Sequence, residues 1–316
     1  MDLVSDAISS VRTGLPHSNR LSVSGSWCTR LAAYEGAGFH VVLAGVCWLL
    51  PEGGGAWLRL GAGDVVLLPH GAEHVLADAP VDAATAARAA PFEDAERPAG
   101  PTDAVGDVEL LCGKYRLDRS RTHPLLAELP QVVHLPNRAD RPAELRAAVD
   151  LLAGELDGRR PGSALALPSL LDLLLVYMVR AWLARAATGA WPAVLGDPVA
   201  TAALRALHSD PAAPWTADRL AARAGVSRAT LSRRFTALVG RPPMAYLTWW
   251  RLTLAAARLR DSDAPLATVA REAGYGSPYA LSHAFSREFG TTPGRFRAGR
   301  PSGSRSPSAP PPGPAR

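Results

Sequence analysis

The chain has 316 residues, 47% of them apolar, and a net charge of +5, enough for two domains with a core each. Its three cysteines are an odd number with no CxxC spacing, which argues against a disulfide scaffold and a zinc ribbon. The start lacks the basic-then-apolar order of a signal peptide. The most apolar run (164–179) is short for a membrane span and contains Pro168 and Asp172, so a buried helix in a cytoplasmic protein is expected, with no membrane partner.

Residues 25–80 read as β structure. FHVVLAGVCWLL (39–50) and AWLRLGAGDVVLLP (56–69) are β-branched and aromatic runs punctuated by PEGGG and GAGD turns. GDVVLLPHGAEHVL (63–76) reads as a strand, a tight turn and a second strand, with His74 just past the turn. Residues 79–104 show no period and are expected to be a mobile loop. Two further strands are expected at 108–118 and 131–136. From Pro142 the pattern is helical, over 142–157 and again over 168–187. TGAWPAVLGDP (188–198) reads as a linker, everything after it to about 298 as helix, and 299–316 as a disordered tail. The implied division is 1–137, a helical linker or dimerisation segment over 138–196, and a helical domain over 197–298.

Charge separates the two ends. Residues 1–199 carry 17 basic and 23 acidic side chains, whereas residues 200–300 carry 15 basic and 6 acidic. A basic block of that size points to a polyanionic partner. Nearly all the cations are arginine; Lys114 is the one lysine.

Within the basic block one pattern occurs twice. In DRLAARAGVSRATLSRRF (218–235), Ala221, Gly225 and Leu231 supply the small crossing residue, the turn and the apolar lock that a helix-turn-helix needs. In LATVAREAGYGSPYALSHAF (266–285), Ala270 and Gly274 repeat the offset, and Leu281 comes one residue later. Between them PMAYLTWWRLTLAAARLR (243–260) is a helix of roughly 27 Å. With the bodies of the two units added, that suits a separation of about one turn of double-stranded DNA, roughly 34 Å.

The GYGSPYALSHAFSREFGTTPGRFR segment (274–297) resembles the DNA-binding domain of the AraC/XylS family of transcription regulators. The matches are Gly274, Tyr275, Ser277, Phe285, Phe289, Gly290, Pro293, Phe296 and Arg297, with Leu281 where phenylalanine is usual. The resemblance implies groove-facing positions at Ala229, Ser232 and Arg233 on the first recognition helix. On the second it implies Pro278, Tyr279 and His283, with Ser277 beside them. Arg228 shares the outward face of the first helix. Arg233 is the leading base reader, because arginine bonds guanine O6 and N7 bidentately. Arg234 and Arg287 are read as phosphate contacts or solvated charges.

GDVVLLPHGAEHVLAD (63–78) is similar to the second cupin motif at Gly63, Pro69, Gly71 and His74, with Asp78 in place of asparagine. Of the first cupin motif only His40 remains. Two histidines leave a catalytic iron or manganese site short of ligands, so no catalytic residue is assigned and no cofactor is required. If a thiolate joins His40 and His74, copper or zinc would suit the set better. The sensor candidates are Cys28, His40, His74 and Cys112, whereas Cys47, mid-strand, is expected to be inert.

The expected fold is α+β and multidomain: a cupin-like β-barrel, helical linker segments, and an all-α domain with two helix-turn-helix units. The resemblance, which extends to a reactive-chlorine-responsive activator subgroup, implies a DNA-binding activator answering a small molecule, oxidant or metal. It also implies contact with RNA polymerase, a homodimer and a place on the nucleoid. The alternatives are a cupin oxygenase or isomerase fused to a DNA-binding domain, and a regulator whose cupin is purely structural.

Overall fold

The computed structural model describes residues 3–92, 107–117, 123–139, 141–157, 160–186 and 190–299. The chain opens on helix α1 (Leu3–Val11), followed by strands β1 (His17–Val23), β2 (Cys28–Leu31), β3 (Ala37–Ala44), β4 (Val46–Pro51), β5 (Leu58–Gly61), β6 (Val65–Leu68) and β7 (His74–Ala77). Helix α2 (Ala83–Ala87), β8 (Ala90–Pro91), β9 (Val108–Tyr115), helix α3 (Pro124–Ala127) and β10 (Val133–Leu135) complete the β-rich half.

The expected barrel is built as two facing five-stranded sheets, β1-β9-β3-β6-β10 and β5-β4-β7-β2-β8. Their inner faces enclose one core, including Val42, Cys47, Leu49, Leu60, Val66, Leu68, Leu76 and Leu110. The outer face of the first sheet is also covered. Phe39, Val41, Leu67, Leu111 and Tyr115 join a second core with α1 and the helices that follow. Burial on both faces explains why the central strands read as continuous apolar runs rather than alternating ones.

Helices α4 (Ala143–Asp157) and α5 (Ser163–Arg185) lie between the two halves of the chain. Helix α5 buries Leu171, Leu174, Leu175, Met178 and Val179. It is tied to the barrel by Tyr115, whose hydroxyl donates to the Leu171 carbonyl at 2.7 Å, and by an Arg12–Asp172 ion pair at 2.5 Å. By length and composition α5 is apolar enough to cross a membrane, but its buried face is taken up by the cupin half. Leu165 and Leu173 remain exposed.

Three expectations need correction. Helix α1 falls in a stretch assigned no element; Leu3, Val4, Ala7, Ile8 and Val11 form its buried stripe. Residues 79–104 are not all loop, because the Asp82 carboxylate caps α2 by accepting from the Thr85 amide and β8 pairs with β2; residues 93–104 lie outside the described residues. The supposed linker at 188–198 contains helix α6 (Ala190–Gly196), anchored by buried Trp191 and Val194. The tail from 300 onward also lies outside the described residues.

The C-terminal half consists of α7 (Pro198–Ser209), α8 (Ala217–Arg223), α9 (Arg228–Val239), α10 (Pro243–Asp261), α11 (Leu266–Glu272), α12 (Pro278–Phe289) and α13 (Pro293–Ala298). Side chains of Asp197, Thr216, Ser227, Ser277 and Thr292 accept from the first-turn amides of α7, α8, α9, α12 and α13. Gly225 and Gly274 turn the two helix-turn-helix units at φ +70° and +75°, where any side chain would be strained. Helix α10 serves two cores. Tyr246, Leu247, Trp249 and Trp250 pack with the first unit and the cupin side, whereas Leu252, Ala255, Ala256 and Leu259 pack with the second unit.

Candidate effector pocket and nucleic-acid interface

Strand pairing assembles the pocket row by row. His40 on β3 stands opposite Cys112 on β9, which stands opposite Asn19 on β1. The next row places Gly38, Lys114 and His17 side by side. From the facing sheet Leu31 and His74 form a cross-strand pair. With Tyr34 and Phe92 these residues line a cavity of about 200 Å³. Period two puts Lys114 on the same face as Cys112. Alternation along VELLCGKY thus carries the signal for Lys114, which composition alone marks only as the one lysine.

The turn before β7 delivers His74. Gly71 sits at φ +56°, and a Cβ there would lie 2.3 Å from the Tyr34 carbonyl oxygen. Only glycine lets this turn approach the 34–36 segment so closely. Asp78, at the usual asparagine position, accepts from the Trp27 amide at 2.8 Å and so ties down the strand end.

The polar contacts assign a single hydrogen order. His74 Nδ1 faces the Ala72 carbonyl at 3.0 Å and must donate to it. Neutral His74 therefore accepts at Nε2 from His40 Nε2–H, 2.8 Å away. His40 is then left with an acceptor at Nδ1, which faces Cys112 Sγ at 3.1 Å and takes the thiol as donor. Burial, then the His74 and Lys114 charges, hold His40 well below its ordinary pKa. Burial, partly opposed by the Ala72 carbonyl and reinforced by Lys114, lowers His74 to about 4. Both imidazoles are therefore neutral near pH 7, and His40 is a base facing a thiol.

This order does not fit a resident metal. His40 turns one nitrogen to His74 and the other to Cys112, so the three donors do not converge on one point. Among the described residues, no group of three His, Cys, Asp or Glu could hold a metal ion. Of the other thiols, Cys28 is half-buried, its pKa raised by burial and by Asp78. Cys47 is fully enclosed and pushed up to about 12 by burial and by Asp64.

At the other end, α9 buries Leu231 and Phe235 and exposes Arg228, Ala229, Ser232, Arg233 and Arg234. Arg228 lies 3.7 Å from Asp218, both exposed. Arg234 turns sideways, 3.9 Å from Asp197 at the start of α7. On α12, Pro278, Tyr279, His283 and Arg287 are exposed, Tyr279 to 81%. Tyr279, His283 and Arg287 line one shallow concavity with Ser282 and Ser286. Ser277 is half-buried, and its hydroxyl oxygen accepts from the Ala280 amide, so its structural work is capping.

Comparison with known proteins agrees with both halves. A cupin family model matches residues 2–184 and a helix-turn-helix domain model matches residues 220–299. A putative AraC-like transcription regulator of Streptomyces lividans is 38% identical over 94% of this chain and 98% of its own length. The RCS-specific HTH-type transcriptional activator RclR of Escherichia coli is 31% identical over 60% of this chain and 67% of its own. Among solved structures, the DNA-binding domain of AdpA in complex with a target DNA is 37% identical, covering 32% of this chain and 91% of that one, with a TM-score of 0.31. The fold and the two sites define a DNA-binding transcription regulator with a cupin domain. The chain belongs to the AraC/XylS family, in the group whose N-terminal domain is a cupin.

Proposed function

We propose that the pocket between the two sheets is the effector site of this regulator, and that its occupancy changes how α9 and α12 engage operator DNA. The observation that carries this reading is the row Asn19–Cys112–His40 facing His74 across a cavity of about 200 Å³, a size suited to a small ligand or an oxidant. Arg233 reads a base and Arg287 meets phosphate. Arg234, drawn toward Asp197, acts from the edge of the interface.

The protein works in the cytoplasm, on the nucleoid, as an activator in contact with RNA polymerase. It pairs as a homodimer through α4 and α5, where Leu151 and Leu165 are 61% and 79% exposed. The cupin is not catalytic in this reading, since among the described residues the pocket lining includes no Asp or Glu and its histidines are committed to each other and to the thiol.

The test is selection of bound duplexes from a random pool by the full chain, untreated and treated with hypochlorous acid, then repeated with Cys112→Ser and His74→Ala. We expect two half-sites about one helical turn apart and a treatment effect that both variants abolish. Failure to enrich any sequence would overturn the operator assignment. A treatment effect unchanged in both variants would remove the pocket from oxidant sensing, and a screen of small organic ligands by thermal shift would then decide whether it binds anything.

A further inference from the structure

Four polar side chains meet deep between the cupin half and the DNA-binding half. His123, the residue capping α3, is fully enclosed, and its Nδ1 accepts from the Leu125 amide at 3.2 Å. Burial, and then His208, hold its pKa well below the ordinary value, so the one ring proton sits on Nε2. That N–H donates to the Tyr246 oxygen at 3.3 Å. Tyr246 in turn donates to His208 Nε2 at 2.8 Å, and His208 Nδ1–H donates to the Asp6 carboxylate at 3.0 Å. Every donor finds an acceptor, and the run ends on a carboxylate. Trp191, Trp249 and Trp250 ring the cluster, with His208 stacked on Trp250 at 4.2 Å.

The placement of these residues gives the cluster its significance. Asp6 and His123 belong to the cupin half, whereas His208 and Tyr246 belong to α7 and α10. Tyr246 also packs edge-on against Phe235 of the first recognition helix, 5.7 Å between centroids. On the other side, His70 of the turn that delivers His74 is 2.7 Å from the Leu129 carbonyl just past α3. Glu128, at the end of α3, accepts from the Trp191 amide at the start of α6. The short α3 is thus gripped from the pocket turn at one end and from the DNA-binding half at the other.

We infer that His123 and Tyr246 are positioning residues, holding the first helix-turn-helix unit in register with the pocket turn through α3. The inference rests on the reading of the pocket as the effector site. A ligand that shifts the 69–73 turn pulls on Leu129, and α3 passes the shift to Tyr246 and so to Phe235. The second unit has its own core and lies off this route.

The experiment is hydrogen exchange by mass spectrometry on the full chain. Tyr246→Phe keeps the ring and removes the hydroxyl. His123→Asn keeps an oxygen that can cap α3 and removes the reach to Tyr246. Each variant should speed exchange in α3 and α9 about ten-fold, the scale of one buried hydrogen bond, and leave α12 unchanged. His74→Ala, a perturbation inside the pocket, should speed exchange at α9 in the wild type and have no further effect in the Tyr246→Phe background. Unchanged α9 exchange in both single variants overturns the inference, as does an equal His74→Ala effect in both backgrounds. If His74→Ala disturbs only β2 and β7, the route from the pocket fails while the pocket itself stands, because ligand binding to it is measured separately.

Discussion

Arg233 is exposed on the outward face of α9, and a bidentate guanine contact is worth about 1–3 kcal/mol of discrimination. Arg233→Ala should therefore weaken operator binding by about that much and relax preference at one base pair, measured by competition between operator and single-base variants. Equal loss on operator and random DNA would make Arg233 a phosphate contact. The three thiols should differ as sharply. Cys47, enclosed and with its pKa raised to about 12, should resist iodoacetamide in the native chain at pH 8, whereas half-buried Cys28 should be alkylated first. Modification of Cys47 before unfolding would refute the burial assigned to it. Single positions were legible where the motif is local: Gly71 and His74 follow Pro69 closely, inside one turn. His123 and His208 were not, because a lone histidine carries no pattern and their partners lie 123 and 202 residues away in the chain.

The helix-turn-helix units were legible because each is held by contacts within about twenty residues, namely a small residue, a left-handed glycine and an apolar lock. Gly274 tests this at the level of the element. A Cβ there would meet the Ala212 backbone at 2.8 Å, in a φ +75° conformation that side chains rarely adopt. Gly274→Ala should destabilise the chain by more than about 1 kcal/mol, read from urea unfolding; a neutral result would mean that the turn is free to rearrange. Helices α1 and α6 were not legible, for the opposite reason. Each is short, and its apolar stripe becomes meaningful only against partners far along the chain. Residues 83–87 were equally hidden, because an alanine-rich run gives a helix no stripe, only the Asp82 cap. The pocket was half legible: the turn motif gave His74, but the meeting of His40 with Cys112 depends on the register between β3 and β9.

Across the whole molecule, burial holds the pKa of three imidazoles down. His74 drops from 6.5 to about 4, and His40 and His123 lie well below 6.5. The unfolded chain takes up protons at these sites from about pH 6.5 downward, whereas the folded chain does not until lower pH. Stability from this source is therefore complete above about pH 6.5 and is lost as pH falls toward 4, at up to about 1.4 kcal/mol per pH unit for each group. Unfolding midpoints should fall steeply between about pH 6.5 and 5, and His74→Gln should flatten part of that slope; a flat profile would contradict the neutral-pair assignment. The charge asymmetry belongs to the same scale. With 15 basic and 6 acidic residues over 200–300, binding of the full chain to a duplex should fall steeply with salt, as for roughly 6–10 phosphate contacts. A log–log plot close to flat would rule out that interface.

Lys114 is the chain's one lysine, and its ammonium stands 4.8 Å from the centre of the Tyr34 ring at the pocket. Reductive methylation with labelled formaldehyde would thus mark one side chain, in a protein whose other basic side chains are arginines or histidines. Its methyl resonance, displaced by the ring current of Tyr34, would give a spectroscopic window on whatever enters that cavity, with no mutation and before any ligand is identified.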